Sequence, residues 1–162
     1  MANDRPPALS RLFLAILIVG AIVAMALDQA AAARPPVRFF DAASQTAEFI
    51  GYSRSIELTA AQRQIRDRAL SKLPASCCSH FSMATCCCPC NLAKSVWGLS
   101  NSLIAREGAR EAQVEKMARL WIRYVNAKGF TGDVCDSAGG CGRRFSDNGC
   151  GGMDERDLTA AR

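Results

Sequence analysis

Asn91-Leu92-Ala93-Lys94-Ser95-Val96-Trp97-Gly98-Leu99-Ser100-Asn101-Ser102-Leu103, closed by Gly108, decides the fold. Leu92, Val96, Leu99 and Leu103 recur at 4-3-4 spacing, which lines one face of a helix. Asn91 reads as its N-cap and Gly108 as its C-terminal stop. A second periodic run follows at once, from about Arg110 to Lys128, with Val114, Met117, Trp121 and Val125 on one face and Gly129 behind it. Two helices of similar length with so short a connection are expected to pack antiparallel. The chain that leaves the second helix is therefore brought back to the start of the first.

Immediately before this hairpin stands a third helical pattern. Thr59 and Gln62 have capping-box spacing, Leu58, Ile65, Ala69 and Leu73 share a face, and Pro74 ends the run. No segment alternates convincingly as a strand. The expectation is an all-α fold: a small helical domain of three helices with a central α-hairpin and cysteine-rich loops. Trp97, Met117 and Trp121 read as core residues, and Gly98 as a place where another helix could come close. Residues 34–57, with Pro35-Pro36 and no sustained period, read as a linker, so the domain is expected over 58–162.

Residues 1–33 read differently. Leu12 to Leu27 is apolar throughout apart from Gly20, preceded by Arg5 and Arg11 and followed by alanines. That order matches a secretory signal peptide. A retained membrane anchor is the alternative, although sixteen helical residues span only ~24 Å of a hydrocarbon core about 30 Å thick. On either reading the basic residues stay in the cytoplasm and the body is extracytoplasmic, periplasmic or secreted. Loss of residues 1–33 removes Arg5, Arg11, Asp4 and Asp28, so the formal charge of +5 is unchanged. Basic residues are spread along the chain without aromatic interleaving, which argues against a nucleic-acid partner.

Nine cysteines in 162 residues carry the functional signal. Cys77-Cys78 and Cys86-Cys87-Cys88-Pro89-Cys90 precede the hairpin; Cys135, Cys141 and Cys150 follow it in a stretch that holds seven of the twelve glycines. The hairpin is expected to carry Cys135 back towards Cys86–Cys90. A helix start favours negative charge, which promotes the thiolate at Cys90.

Three chemistries fit such a cluster. The first is a soft metal ion, copper(I) before zinc, held by Cys86, Cys87, Cys88 and Cys90 with Cys77, Cys78 and Cys135. His80 and Met83 are secondary donors on this reading. The second is a disulfide framework without metal, ordinary for an exported small domain, although nine is odd and adjacent cysteines cannot easily all reach partners. The third is thiol–disulfide exchange through Cys87 and Cys90, whose Cys-x-Pro-Cys form lacks the preceding strand of a βαβ unit. Catalysis is not expected, since Ser, acidic residues and the single His form no triad.

Over residues 74–108 and 132–152 the chain resembles small exported bacterial proteins that carry a Pro-Cys-Tyr-Cys-Gly-Cys motif. The likeness lies in the clustered cysteines of 86–90, the helix after them and the cysteines downstream. Here the proline stands inside the cluster, and the motif's Tyr and Gly are missing. The resemblance implies binding of copper or another heavy metal, with Cys86, Cys88 and Cys90 as the alternating set.

Overall fold

Asp41 sets the first element. Its carboxylate accepts the Ser44 N–H at 2.6 Å and caps helix α1, Ala42–Ser55. A computed structural model describes residues 37–75, 78–86, 89–127, 144–147 and 149–159, with the backbone alone at Cys78, Ser79, Asp147 and Thr159. Residues 1–36 lie outside it. The expected linker over 34–57 is thus corrected, because most of that span is helical and its inner face is buried.

Helix α2, Ala60–Ser71, begins with the capping box read from Thr59 and Gln62. The Gln62 side chain accepts the Thr59 N–H at 2.9 Å, and the Thr59 hydroxyl accepts the Gln62 N–H at 3.3 Å. Pro74 ends the run. It also opens a short antiparallel pair that the sequence did not announce, β1 (Pro74–Ala75) with β2 (Cys78–Ser82). The ladder is extended by the Met83 N–H donating to the Leu73 carbonyl at 2.8 Å. The fold is therefore mostly helical, with one two-stranded sheet.

Helix α3, Asn91–Glu107, is the spine of the core. Leu92, Val96, Leu99 and Leu103 are all buried, as their spacing requires. Gly108 closes the helix in the left-handed region at φ 65°. Helix α4, Glu111–Val125, then turns back, with Val114, Ala118, Trp121 and Val125 inward. Its start is tied by the Arg110 N–H donating to the Gln113 side chain at 2.9 Å. The indole N–H of Trp121, near the end of α4, donates to the hydroxyl of Ser95, near the start of α3, at 2.9 Å. Such a pairing requires the antiparallel hairpin that the sequence predicted.

The hairpin is covered by α1, which crosses α3 at Gly98. A Cβ there would stand 1.6 Å from the Phe49 carbonyl oxygen, so only glycine lets the two backbones meet. Phe39 and Phe49 close the core from the other end, each with its ring centroid 5.0 Å from that of Trp121. After α4 the next described segment is a short 3₁₀ turn, Phe145–Asp147, and the last helix is α5, Arg156–Thr159. The count thus exceeds the three helices expected: five α-helices are present among the described residues.

Candidate thiol site at the start of the long helix

Cys90 is the N-cap of α3, with extended backbone (φ −68°, ψ 166°) and no capping bond from its side chain. Asn91, expected as the cap, is instead the first helical residue. The orphan N–H groups that any helix start exposes are met by main chain from far along the sequence. The Asn91 N–H donates to the Gly152 carbonyl and the Leu92 N–H to the Cys150 carbonyl, each at 2.9 Å.

Residues 149–154 thus form a strap across the helix start. The Asn91 amide donates to the carbonyls of Gly151 at 2.8 Å and Asp154 at 2.6 Å. Lys94 Nζ donates to the Met153 carbonyl at 2.9 Å, and the Asn126 amide to that of Gly149 at 3.3 Å. Arg54 of α1 pairs with Glu155 just beyond. Gly151 and Gly152 hold φ values of 76° and 80°, which L side chains rarely adopt. A Cβ on Gly151 would also run into the Phe145 ring at 2.5 Å. The Gly-Gly pair therefore lets successive carbonyls turn towards one helix end.

The strap brings Cys150 to the helix start, while Cys135, the cysteine that the hairpin is expected to return, lies outside the described residues. Cys150 is fully buried and joins Cys90, 2% exposed, in the same apolar cluster, with Cys86 half-buried against it. Cys150 is held in a disulfide whose other half lies outside the described side chains, whereas Cys86 and Cys90 carry thiol groups. Of the expected ligands, Cys77, Cys87, Cys88 and Cys135 lie outside the described residues. Cys78 opens β2 opposite Ala75 and is described by its backbone alone. Cys86 and Cys90 are the two whose side chains are placed. Among the described residues, no three of His, Cys, Asp or Glu stand together as a metal shell.

The secondary donors separate cleanly. Met83 is 1% exposed within the core, and its carbonyl accepts the Trp97 indole N–H at 2.8 Å. His80 lies exposed on β2. The Cys-x-Pro-Cys run does precede a helix, but the only described sheet is the antiparallel pair upstream, not a βαβ unit.

Asn91 and Asn126 are the residues that the sequence reading missed as strap anchors. Both are buried, and the Oδ1 of each meets no hydrogen-bond partner. Asn91 stood out as a polar residue at a helix start, the right signal with the wrong task. Comparison with known proteins adds nothing further: no family model, curated protein or solved structure matches the chain.

Proposed function

We propose that this protein binds a soft, thiophilic metal ion outside the cytoplasm, copper(I) before zinc, for sequestration, delivery or sensing. The observation that carries the reading is the pair of thiols just ahead of α3, Cys90 within the core and Cys86 packed against it, with the main chain of Cys150 bound to the helix start. Cys86 and Cys90 supply the first two thiolates, and copper(I) accepts as few as two or three. Cys87, Cys88, Cys77, Cys78 and Cys135 complete the ligand set proposed from the sequence. Cys150 stands outside that set, and its disulfide makes it the bolt that fixes the strap.

The test is an intact-mass measurement on full-length protein purified without oxygen from an exported compartment, with a thiol count and a metal assay on the same sample. Two or more thiols with about one equivalent of copper or zinc per chain is the expected result. One thiol or none, with no metal taken up after reconstitution, overturns it.

A second reading is favoured by a specific observation, the disulfide at the fully buried Cys150. On this reading the cysteines other than Cys86 and Cys90 serve a cross-linked framework that presents an interaction surface. The same sample decides, because a framework binds no metal and its stability does not depend on one.

The N-terminal apolar run 12–27 is proposed to export the domain and, where it is retained, to tether it. No helix among the described residues is long and apolar enough to cross a membrane.

A further inference from the structure

Among the described residues five large apolar side chains remain exposed; two of them, Leu120 and Tyr124, lie on α4, and a third, Phe40, adjoins Phe39, whose ring packs on Tyr124. Phe40 is 76% exposed, Leu120 42% and Tyr124 40%. Leu120 and Tyr124 are four residues apart on α4 and so share a flank of the helix. Residues 37–40 alternate in burial: Val37 and Phe39 are half-buried, Arg38 and Phe40 exposed. Phe39 lies against Tyr124, ring centroids 5.6 Å apart, and Tyr124 stacks on Trp121 at 5.7 Å and 25°. The alternation turns Phe40 outward beside a ring stack that is already anchored in the core.

Charge accompanies this shelf. Lys116 and Arg123 are exposed on α4, and helical spacing sets them next to Leu120. Glu111 and Glu115, the acidic residues of α4, are occupied on its other flank by Lys72, Arg68 and Arg119. With Arg38, the face therefore carries three basic side chains around three apolar ones. Aromatic, leucine and basic side chains in this arrangement suit the interface of an anionic bilayer, where rings sit at headgroup depth and cations meet phosphate.

We propose that the face formed by Arg38, Phe40, Lys116, Leu120, Arg123 and Tyr124 seats the domain on an anionic lipid surface. The chain itself argues for this occupant. The apolar run ends at Leu27, and Val37 opens the described domain ten residues later, a reach of at most about 35 Å. A tether that short returns the domain to the bilayer repeatedly, and Arg38 and Phe40 are among the first residues to meet it. The inference rests on retention of that run and is independent of any metal.

The experiment reconstitutes the full-length chain into vesicles that contain a phosphatidylglycerol with a diazirine near its glycerol. After photolysis the labelled peptides are mapped by mass spectrometry. Label on residues 12–27 reports the tether by itself. With that label present, peptides covering 38–40 and 116–124 are expected to label at least threefold more than a peptide covering 60–71. The excess is expected to disappear for K116E/R123E/L120S and to fall in vesicles of phosphatidylcholine with a trace of the probe. Thermal melting confirms that this variant, altered only at exposed positions, is folded. Label on 12–27 with equal, background label on 116–124 and 60–71 overturns the docking face. Absence of label on 12–27 overturns the premise of a retained tether, a distinguishable outcome.

Discussion

The Leu92 N–H donates to the carbonyl of Cys150 at 2.9 Å, across 58 residues of sequence. A helix start that meets its own cap residue usually needs Ser, Thr, Asp or Asn there. Here Cys90 gives no such bond, and the strap carbonyls of Cys150 and Gly152 take its place. The local fold of the thiol cluster and the docking of the C-terminal segment are one structural event.

Removing the bolt is therefore expected to weaken the whole domain. Loss of the Cys150 disulfide in C150S should cost about 2–4 kcal/mol, seen as a fall in Tm of roughly 5–15 °C. N91A keeps the disulfide but deletes both amide bonds to the strap, and is expected to cost about 1–3 kcal/mol. Calorimetry on the oxidised proteins checks both. A C150S protein as stable as the parent would show that the disulfide contributes nothing to stability.

Glycine substitutions at two helical positions should have opposite signs. At Gly98 a methyl group would meet the Phe49 carbonyl at 1.6 Å and the Ser53 nitrogen at 2.8 Å. Both are backbone atoms, so α1 must move, and G98A is expected to destabilise by about 3 kcal/mol or more. A Cβ at Gly51, on α1, meets nothing within 4 Å. G51A should stabilise by about 0.5–1 kcal/mol through helix propensity alone. Urea unfolding of the two variants beside the parent measures both effects. Equal shifts would contradict the close crossing.

These two glycines also show what was legible beforehand. Gly98 could be read as a point of close approach, because a glycine in an otherwise good helix has a cost that something must offset. The helix that approaches it could not be read. Half of the buried face of α1 is polar, with Gln45 and Thr46 beside Phe49 and Ile50, so no apolar stripe announces it. Those polar groups are satisfied locally. Gln45 Oε1 accepts the Phe40 and Asp41 N–H groups, its Nε2 donates to the Arg38 carbonyl, and the Thr46 hydroxyl donates to Ala42. Asp41 with Ser44 was the available sign. By contrast, the stripe of α3 and the capping box of α2 use the rules that periodicity and capping describe, and both were legible. Hairpin geometry made the return of the chain to the helix start legible, but the cysteine found there is Cys150 and not the expected Cys135, which lies outside the described residues. That Cys150 would arrive bridged, under a strap of carbonyls, depends on the Gly151–Gly152 turn and Asn91, which no spacing rule links.

Acid should loosen the contact between α2 and α4. The hydrogen bond from Lys72 first, and that from Arg68 after it, hold the Glu111 carboxyl below its ordinary range. A lowered folded-state pKa adds stability that is present above the unfolded value and disappears as pH falls through the folded one. The Tm gap between parent and E111Q is therefore expected to be small at pH 7, where the exposed pair is screened. It should close as pH drops below about 4.5. A gap that widens in acid would contradict the sign.

The two secondary donors named from the sequence now make separable predictions. Met83 is 1% exposed, its N–H extends the hairpin ladder and its carbonyl holds the Trp97 indole. Truncation in M83A is expected to cost about 2–5 kcal/mol, the range for a core residue of this size. The metal equivalents bound by the folded fraction should not change, because a thioether packed in the core is not presented to an ion. His80 is exposed on β2, and H80A should leave Tm within about 1 °C of the parent, as for most surface changes. If the imidazole joins the thiolates, H80A weakens copper or zinc binding by tenfold or more in competition with a chelator of known affinity. Unchanged affinity in H80A would remove histidine from the shell and leave a set of sulfur ligands alone.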